Sequence, residues 1–238
     1  EEFTTEDDIQ LPNSGFEDWY TDSDGLPKPA KDASSSFWDC GNVNYFGKHI
    51  MTTQNDETAL GQGSSVKMET QETMKIIAAG NIFTGTFERD GMGGILTLGR
   101  NFECRPNKLK GYYKYTSAKV SVSKGHLNEG EDDLCSLYIA LTDEQITVNT
   151  NEKIYFDPNS SAVIAYGSIS DEESKGADSF KEFTVDLEYK DLKRIPKYII
   201  VVASSSKYGD YMEGGKGSTM WLDDLELVYP KSMEEVRK

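Results

Sequence analysis

Glu182-Phe183-Thr184-Val185-Asp186-Leu187-Glu188-Tyr189 decides the fold class, because Phe183, Val185, Leu187 and Tyr189 alternate with Glu182, Thr184, Asp186 and Glu188. A period of two sends successive side chains to opposite faces, so the stretch reads as a β-strand with one packed and one wet face. Outward from it, residues 65–70, 82–87, 95–102, 109–122, 134–142 and 162–168 carry comparable patterns. Residues 198–203 are continuously apolar and β-branched, the composition of a central strand covered on both faces. Only 232–238 and the segment near Asp191 could turn helically. Strands separated by clusters of Gly, Asn, Asp and Ser, with no βαβ rhythm, predict an all-β sandwich or jelly roll and exclude a parallel α/β sheet.

A chain of 238 residues fits one large sandwich spanning 1–238, with 1–10 and 231–238 as flexible ends. Twenty-five Lys+Arg against 41 Asp+Glu give a net charge of −16. That charge repels the phosphates of nucleic acid and the anionic face of a membrane, while suiting a neutral ligand such as a glycan. No stretch approaches the roughly 18 consecutive apolar residues of a membrane span. The chain opens at Glu1 on polar, acidic residues, as a mature or trimmed form does. Cys40, Cys104 and Cys135 are too far apart for a CxxC metal site and allow at most one internal disulfide. With only His49 and His126 available, a His-rich zinc site is excluded and a Ser-His-Asp triad is a poor fit. The glycine-rich Gly91-Met92-Gly93-Gly94 and Gly61-Gln62-Gly63 lack the Lys and following helix of a phosphate cradle and read as hairpin turns.

The two ends of the chain carry matched signals. Near the start stands Leu11-Pro12-Asn13-Ser14-Gly15-Phe16-Glu17-Asp18-Trp19, and near the end Thr219-Met220-Trp221-Leu222-Asp223-Asp224-Leu225-Glu226-Leu227. Strict alternation would set Trp221, Asp223, Leu225 and Leu227 on one face, leaving Asp223 as a carboxylate among core residues. A buried charge needs compensation. A hard cation supplies it, since Ca²⁺ takes six to eight oxygens, and Glu17 with Asp223 or Asp224 is the candidate pairing. The competing readings place Asp223 at a wet rim or against backbone N–H groups.

The two end motifs resemble the N-x-G-F-E opening and h-D-D-h-x-h closing strand of galactose-binding-like carbohydrate-binding modules. A wider resemblance adds Phe37-Trp38-Asp39-Cys40-Gly41-Asn42, Ala79-Gly80-Asn81-Ile82-Phe83-Thr84-Gly85 and Gly111-Tyr112-Tyr113-Lys114-Tyr115. It extends through Val202-Ala203-Ser204-Ser205-Ser206-Lys207-Tyr208-Gly209-Asp210-Tyr211 and Gly215-Lys216-Gly217-Ser218-Thr219. Together these motifs look like the putative carbohydrate metabolism domain family of gut bacterial surface lipoproteins. The resemblance implies a jelly roll, any cation being structural, and a role in capturing oligo- or polysaccharide. It also implies export to the outer-membrane surface or periplasm on a lipid anchor, beside an immunoglobulin-like domain or surface glycan-uptake proteins.

Sugars present apolar faces and many hydroxyls, so their sites combine aromatic platforms with polar side chains. Residues 204–218 supply Lys207, Tyr208, Asp210 and Tyr211 among several glycines, and the stretch around Trp38, Asp39, Asn42, Tyr45 and Phe46 forms a second polar-aromatic cluster. Each aromatic has core packing as its alternative reading, and Asn81 reads as a turn or strand-end residue. Members of the family have been labelled putative glycoside hydrolases, which raises catalysis as an alternative. A glycosidase needs two carboxyl groups about 5 to 9.5 Å apart, and Asp210 and Glu213, with Asp39 as a third, are the candidates. Among 41 acids such a pair carries little information. Non-catalytic binding is therefore the leading expectation, with an adhesive or structural surface role as the third.

Overall fold

The computed structural model describes residues 9–230. The helical turn expected at 232–238 and most of the expected flexible ends lie outside the described residues. Two curled antiparallel sheets pack face to face as an all-β jelly roll. One sheet runs, edge to edge, Ala177–Asp186, Lys108–Thr116, Thr219–Val228, Ser65–Glu69 and Thr52–Asn55. The other runs Ile146–Asn149, Gly93–Leu98, Asn81–Asp90, Tyr198–Ser204, Ser136–Thr142, Val163–Ser168 and Glu188–Tyr189. Arg100–Asn101 pairs beside Tyr198–Ser204, and Trp38–Asp39 beside Asn81–Asp90.

Between the sheets lies the main core, in which Phe16, Trp38, Met68, Tyr113, Phe183, Val201 and Leu222 are buried. A second apolar cluster, Phe83, Leu96, Leu98, Ala140, Val148 and Ile200, sits on the opposite face of the larger sheet. Tyr198–Ser204 serves both: Ile199, Val201 and Ala203 face the main core while Ile200 faces the second cluster. Its unbroken hydrophobicity follows from that double coverage, as the sequence predicts.

The deciding stretch turns out to be a corner. Phe183 and Val185 enter the core from the smaller sheet, whereas Glu188–Tyr189 pairs with Ala165 and Tyr166 of the larger one. Residues 95–102 divide at Gly99, whose positive φ of 111° turns the chain from one partner strand to another. The strand expected over 109–122 ends at Thr116, after which Lys119 and Val122 make isolated bridges. Near Asp191 there is no helix; its carboxylate accepts the N–H groups of Lys193 and Arg194 in a local turn. Helical structure among the described residues consists of three single turns, Ala33–Ser35, Glu173–Lys175 and Gly209–Tyr211. Among the described residues no helix is long and apolar enough to cross a membrane.

The chain ends do meet. Leu225 N donates to Ser14 O at 3.0 Å, and Gln10 exchanges two hydrogen bonds with the backbone of Leu227 at 2.7 and 2.8 Å. The face predicted for the last strand needs correction. Its pairing with Lys108–Thr116 shifts register between Lys110 and Tyr112, and Asp224 adopts a positive φ of 46°. That bulge changes the parity of the strand. Met220, Leu222, Leu225 and Leu227 point into the core, while Trp221 lies outside beneath the Lys114 ammonium, 4.4 Å from its ring. Asp223 shares the outer side and is buried under the loop at Ala59.

Candidate functional site

Where the central strand Tyr198–Ser204 leaves the larger sheet, the chain is held by a hydroxyl network. Thr70 Oγ1 lies 2.7 Å from both Ser205 Oγ and Ser206 Oγ, and Ser206 Oγ donates to Asp133 Oδ2 at 2.6 Å. The turn Gly209–Tyr211 follows, and Gly209 packs so closely that a Cβ there would lie 2.4 Å from Ala79 Cβ. Asp210 and Asn81, the first residue of Asn81–Asp90, line the same two hollows. Behind the turn, Tyr208 stacks on His126 at 4.3 Å, and Tyr211 packs on His126 and Tyr155 at 4.3 and 4.0 Å. The two tyrosines are half-buried props for the turn.

Two hollows meet at this point. One, of about 380 Å³, is an open groove walled by the ribbon Val43–Asn44/Lys48–His49, the ribbon Gln71–Thr73/Ile76–Ala78 and the hairpin around Gly91. The other, of about 60 Å³, lies over the larger sheet and is lined by Ser136, Tyr138, Ser204, Ser206 and Lys207. Asn81, Leu96 and Asp210 line both. Asp210 is the one carboxylate among the described residues of either lining. Enclosure by protein pushes its pKa up to about 6, and no hydrogen bond or ion pair from the described residues reaches its carboxylate. Asn81 is oriented by Gly41 N, which donates to its Oδ1 at 2.8 Å; its amide NH₂ is left without a partner among the described residues. A fixed donor beside an unshared acceptor is the arrangement that recognises a hydroxyl, which both donates and accepts.

The other predicted ligand residues are placed differently. Trp38 is fully buried, edge-on to Phe16 at 5.4 Å, with its indole N–H donating to Pro12 O at 2.7 Å. It is a core residue and cannot serve as a platform. Asp39 accepts from Lys28 Nζ at 2.6 Å, Cys40 N at 2.8 Å and Phe87 N at 2.8 Å. Asn42 is buried, accepting from Met51 N and Thr52 N and donating to Thr52 O and Pro27 O. Both tie the first third of the chain to the sheets. Lys207 reaches the smaller hollow and pairs with Asp171 at 3.0 Å.

Glu213, the partner proposed for Asp210 in catalysis, is completely buried and lines neither hollow. Its carboxylate accepts from Lys124 N, His126 N and Leu127 N, and lies 2.9 Å from His126 Nδ1. Burial alone would raise its pKa, but the His126 bond and the three N–H groups outweigh it and hold the pKa below the ordinary value. It is an anchor for the 124–127 loop. The sequence missed Asn81 as a site residue because its local signal is that of a strand start; only Gly41, forty residues earlier, fixes which way its amide faces.

At the chain-end corner, Glu17 accepts from Ser64 N and Ser64 Oγ, both at 3.0 Å, and Asp223 Oδ2 accepts from Ala59 N at 2.9 Å. A Cβ on Gly15 would stand 3.3 Å from Asp224 Oδ1 and 3.6 Å from Glu17 Oε1, so these acids crowd one spot. Burial first, then the neighbouring charges of Asp224 and Glu17, push Asp223 up to about 6. The residue types suit a hard cation. With Glu17 turned to Ser64, no three His, Cys, Asp or Glu side chains among the described residues are placed to hold a metal ion. No disulfide forms among the described residues, and burial pushes the Cys40 and Cys135 thiols up to about 12.

Comparison with known proteins bears on this geometry. A family model described as "Putative carbohydrate metabolism domain" matches residues 13–228. No curated protein matches the chain. A crystal structure described as a putative glycoside hydrolase from Bacteroides thetaiotaomicron is similar at 25% identity and a TM-score of 0.60, over 76% of this chain and 57% of that one. A second so described, from Bacteroides vulgatus, is similar at 23% identity and a TM-score of 0.60, over 75% of this chain and 77% of that one. The chain thus spans little more than half the length of the first. A carbohydrate-binding module solved with β-1,4-galactotriose aligns over 92% of this chain and 97% of its own, at 10% identity and a TM-score of 0.39.

Proposed function

This chain belongs to the putative carbohydrate metabolism domain family, and on that premise we propose that it is a non-catalytic glycan-binding module of a bacterial cell-surface protein. Its ligand is an oligo- or polysaccharide, held where the two hollows meet. The observation that carries this reading is the pair Asn81 and Asp210, a donor and an acceptor without partners among the described residues, lining the same two accessible hollows. A cleft of this size falls within the range of small-molecule sites, about 300–1,000 Å³. A sugar's vicinal hydroxyls would satisfy both groups, and Lys207 and the serines of the smaller hollow would hold its outer edge.

Catalysis is less well supported by the same geometry. Glycoside hydrolysis uses two opposed carboxyl groups, and Asp210 stands alone in its cleft while Glu213 and Asp39 are engaged with main-chain donors. Export to the outer-membrane surface or periplasm on a lipid anchor, next to an immunoglobulin-like domain or glycan-uptake partners, belongs to the proposal and rests on the family. A structural Ca²⁺ at Glu17, Asp223 and Asp224 belongs to it as well. Its support is the gathering of three acids with no Lys or Arg paired to them among the described residues. Glu17 would have to turn from Ser64 to reach the ion.

A glycan array followed by calorimetry tests the binding reading. At least one saccharide is expected to bind, with Asp210→Asn and Asn81→Ala each weakening it tenfold or more while the melt stays cooperative. Silence across a broad array, or a bound glycan indifferent to both substitutions, would overturn it. Dialysis against EDTA tests the cation: the melting temperature falls and CaCl₂ restores it, or the site is not a metal site.

A further inference from the structure

The larger hollow is not built like a sugar site throughout. Away from Asn81 and Asp210 its lining is largely apolar and includes Val43, Met51, Ile76, Phe87, Leu96 and Met212, and its rim carries Phe46, Met74 and Met92, exposed by 94%, 83% and 56%. Two of the polar side chains along this stretch are engaged internally, and Tyr45, His49 and Thr73 line it as well. Gln71 Nε2 donates to Ile50 O at 2.7 Å, and Arg89 donates to Gly91 O and lies 4.1 Å over the Tyr45 ring. A plain saccharide lying here would surrender hydroxyl bonds to water and find few in return.

The rim is also presented against local backbone preference. Phe46 has a φ of 51°, and Met74 and Lys75 form a two-residue hairpin turn with φ of 50° and 65°. Such turns favour Asn and Gly. Phe46, whose ring touches only that of Tyr45 at 4.3 Å among the ring contacts of the described residues, and Met74 are large apolar side chains set on left-handed backbone and thrust into solvent; this breaks the local rule, which is where function is to be sought. Methionine adds a conformable wall that fits more than one shape.

We propose that the ligand is an amphipathic glycan: a saccharide bearing an acyl, alkyl or aryl group, with the sugar at Asn81 and Asp210 and the apolar group laid along the groove between Phe46, Met74 and Met92. This rests on the glycan-binding reading and deepens it by naming the ligand class. The groove's length of apolar wall leads directly to the polar pair, so a single ligand spans both.

The test measures methyl, n-hexyl and phenyl glycosides of the same sugars by calorimetry on the wild-type chain. Burying a methylene is worth roughly a threefold gain in affinity, so with about three of its five extra methylenes buried n-hexyl is expected to exceed methyl by roughly 30-fold for the recognised sugar. The n-hexyl and phenyl arms separate an alkyl chain from an aryl group as the preferred substituent. Phe46→Ser with Met74→Ser, at exposed positions that leave the core untouched, is expected to abolish the difference between n-hexyl and methyl. Asp210→Asn should weaken every glycoside. Equal affinity for the methyl, n-hexyl and phenyl forms overturns this inference and leaves glycan binding standing. Binding of n-hexanol as tight as the n-hexyl glycoside, or self-association through the groove that Phe46→Ser dissolves in sedimentation, also overturns it. Binding of no glycoside at all sinks both readings.

Discussion

Asp210→Asn should make the protein more stable while weakening the proposed glycan binding. Asp210 is a half-buried carboxylate with no partner among the described residues, and enclosure raises its pKa from 3.8 to about 6. Each tenfold change in proton affinity corresponds to about 1.4 kcal/mol, so holding the charged form in the fold at pH 7 costs up to about 3 kcal/mol. Contact of the carboxylate with water in the groove reduces this, and a gain of about 1–2 kcal/mol is expected from the neutral amide. The sign follows from linkage. A carboxyl whose folded pKa lies above its unfolded one binds protons more tightly in the native state, so stability rises as pH falls from 7 through 6 and levels off below about 4. Denaturant melts of wild type and variant at pH 7.5, 6 and 4.5 measure this directly. The curves should be furthest apart at pH 7.5, with the variant more stable, and should converge at pH 4.5. Because Asp223 titrates in the same window, the difference between the two proteins is the quantity to read. A variant that is less stable at pH 7.5, or a pH-independent gap, would refute the claim that Asp210 is an unsatisfied charge.

Trp38→Ala should cost about 3–5 kcal/mol, because it empties a fully buried site and orphans Pro12 O; chemical denaturation checks it, and loss of binding with unchanged stability would contradict its core assignment. Glu213→Gln should destabilise by about 2–3 kcal/mol at pH 7 by weakening bonds to three N–H groups and His126. Its folded pKa is depressed, so that penalty should fade as pH drops below 4.5. Gly209→Ala sets a methyl 2.4 Å from Ala79 Cβ; the turn should shift, with a loss of about 1–3 kcal/mol in thermal melts and weaker glycan binding than wild type.

Much of the fold was legible in the sequence because alternation is a local consequence of strand geometry. The runs at 65–70, 82–87, 134–142, 162–168 and 198–203 correspond to strands, and the two ends lie together as their motifs implied. The misreadings share one cause. Residues 182–189 alternate without a break although the chain changes sheets within them, and residues 219–227 alternate on paper although a bulge at Asp224 changes their parity. Period two reports which side chains oppose one another; it carries no record of a partner strand one residue out of step.

The site was half legible. Asp210 and Lys207, which the loop's composition singled out, line a hollow, and Tyr208 and Tyr211 pack behind the turn. Trp38, Asp39, Asn42 and Glu213 are the same kinds of residue and are spent on the fold, held by partners up to 89 residues away. Composition can propose a carboxylate or an indole as a ligand group, but whether it is free depends on which backbone donors distant strands bring to it. The sequence by itself determined the β architecture and the chemical vocabulary of the loops, since both depend on neighbours along the chain. Tertiary structure alone decided that Asn81 and Asp210 remain unshared while their look-alikes do not, because hydrogen-bond satisfaction is settled by neighbours in space.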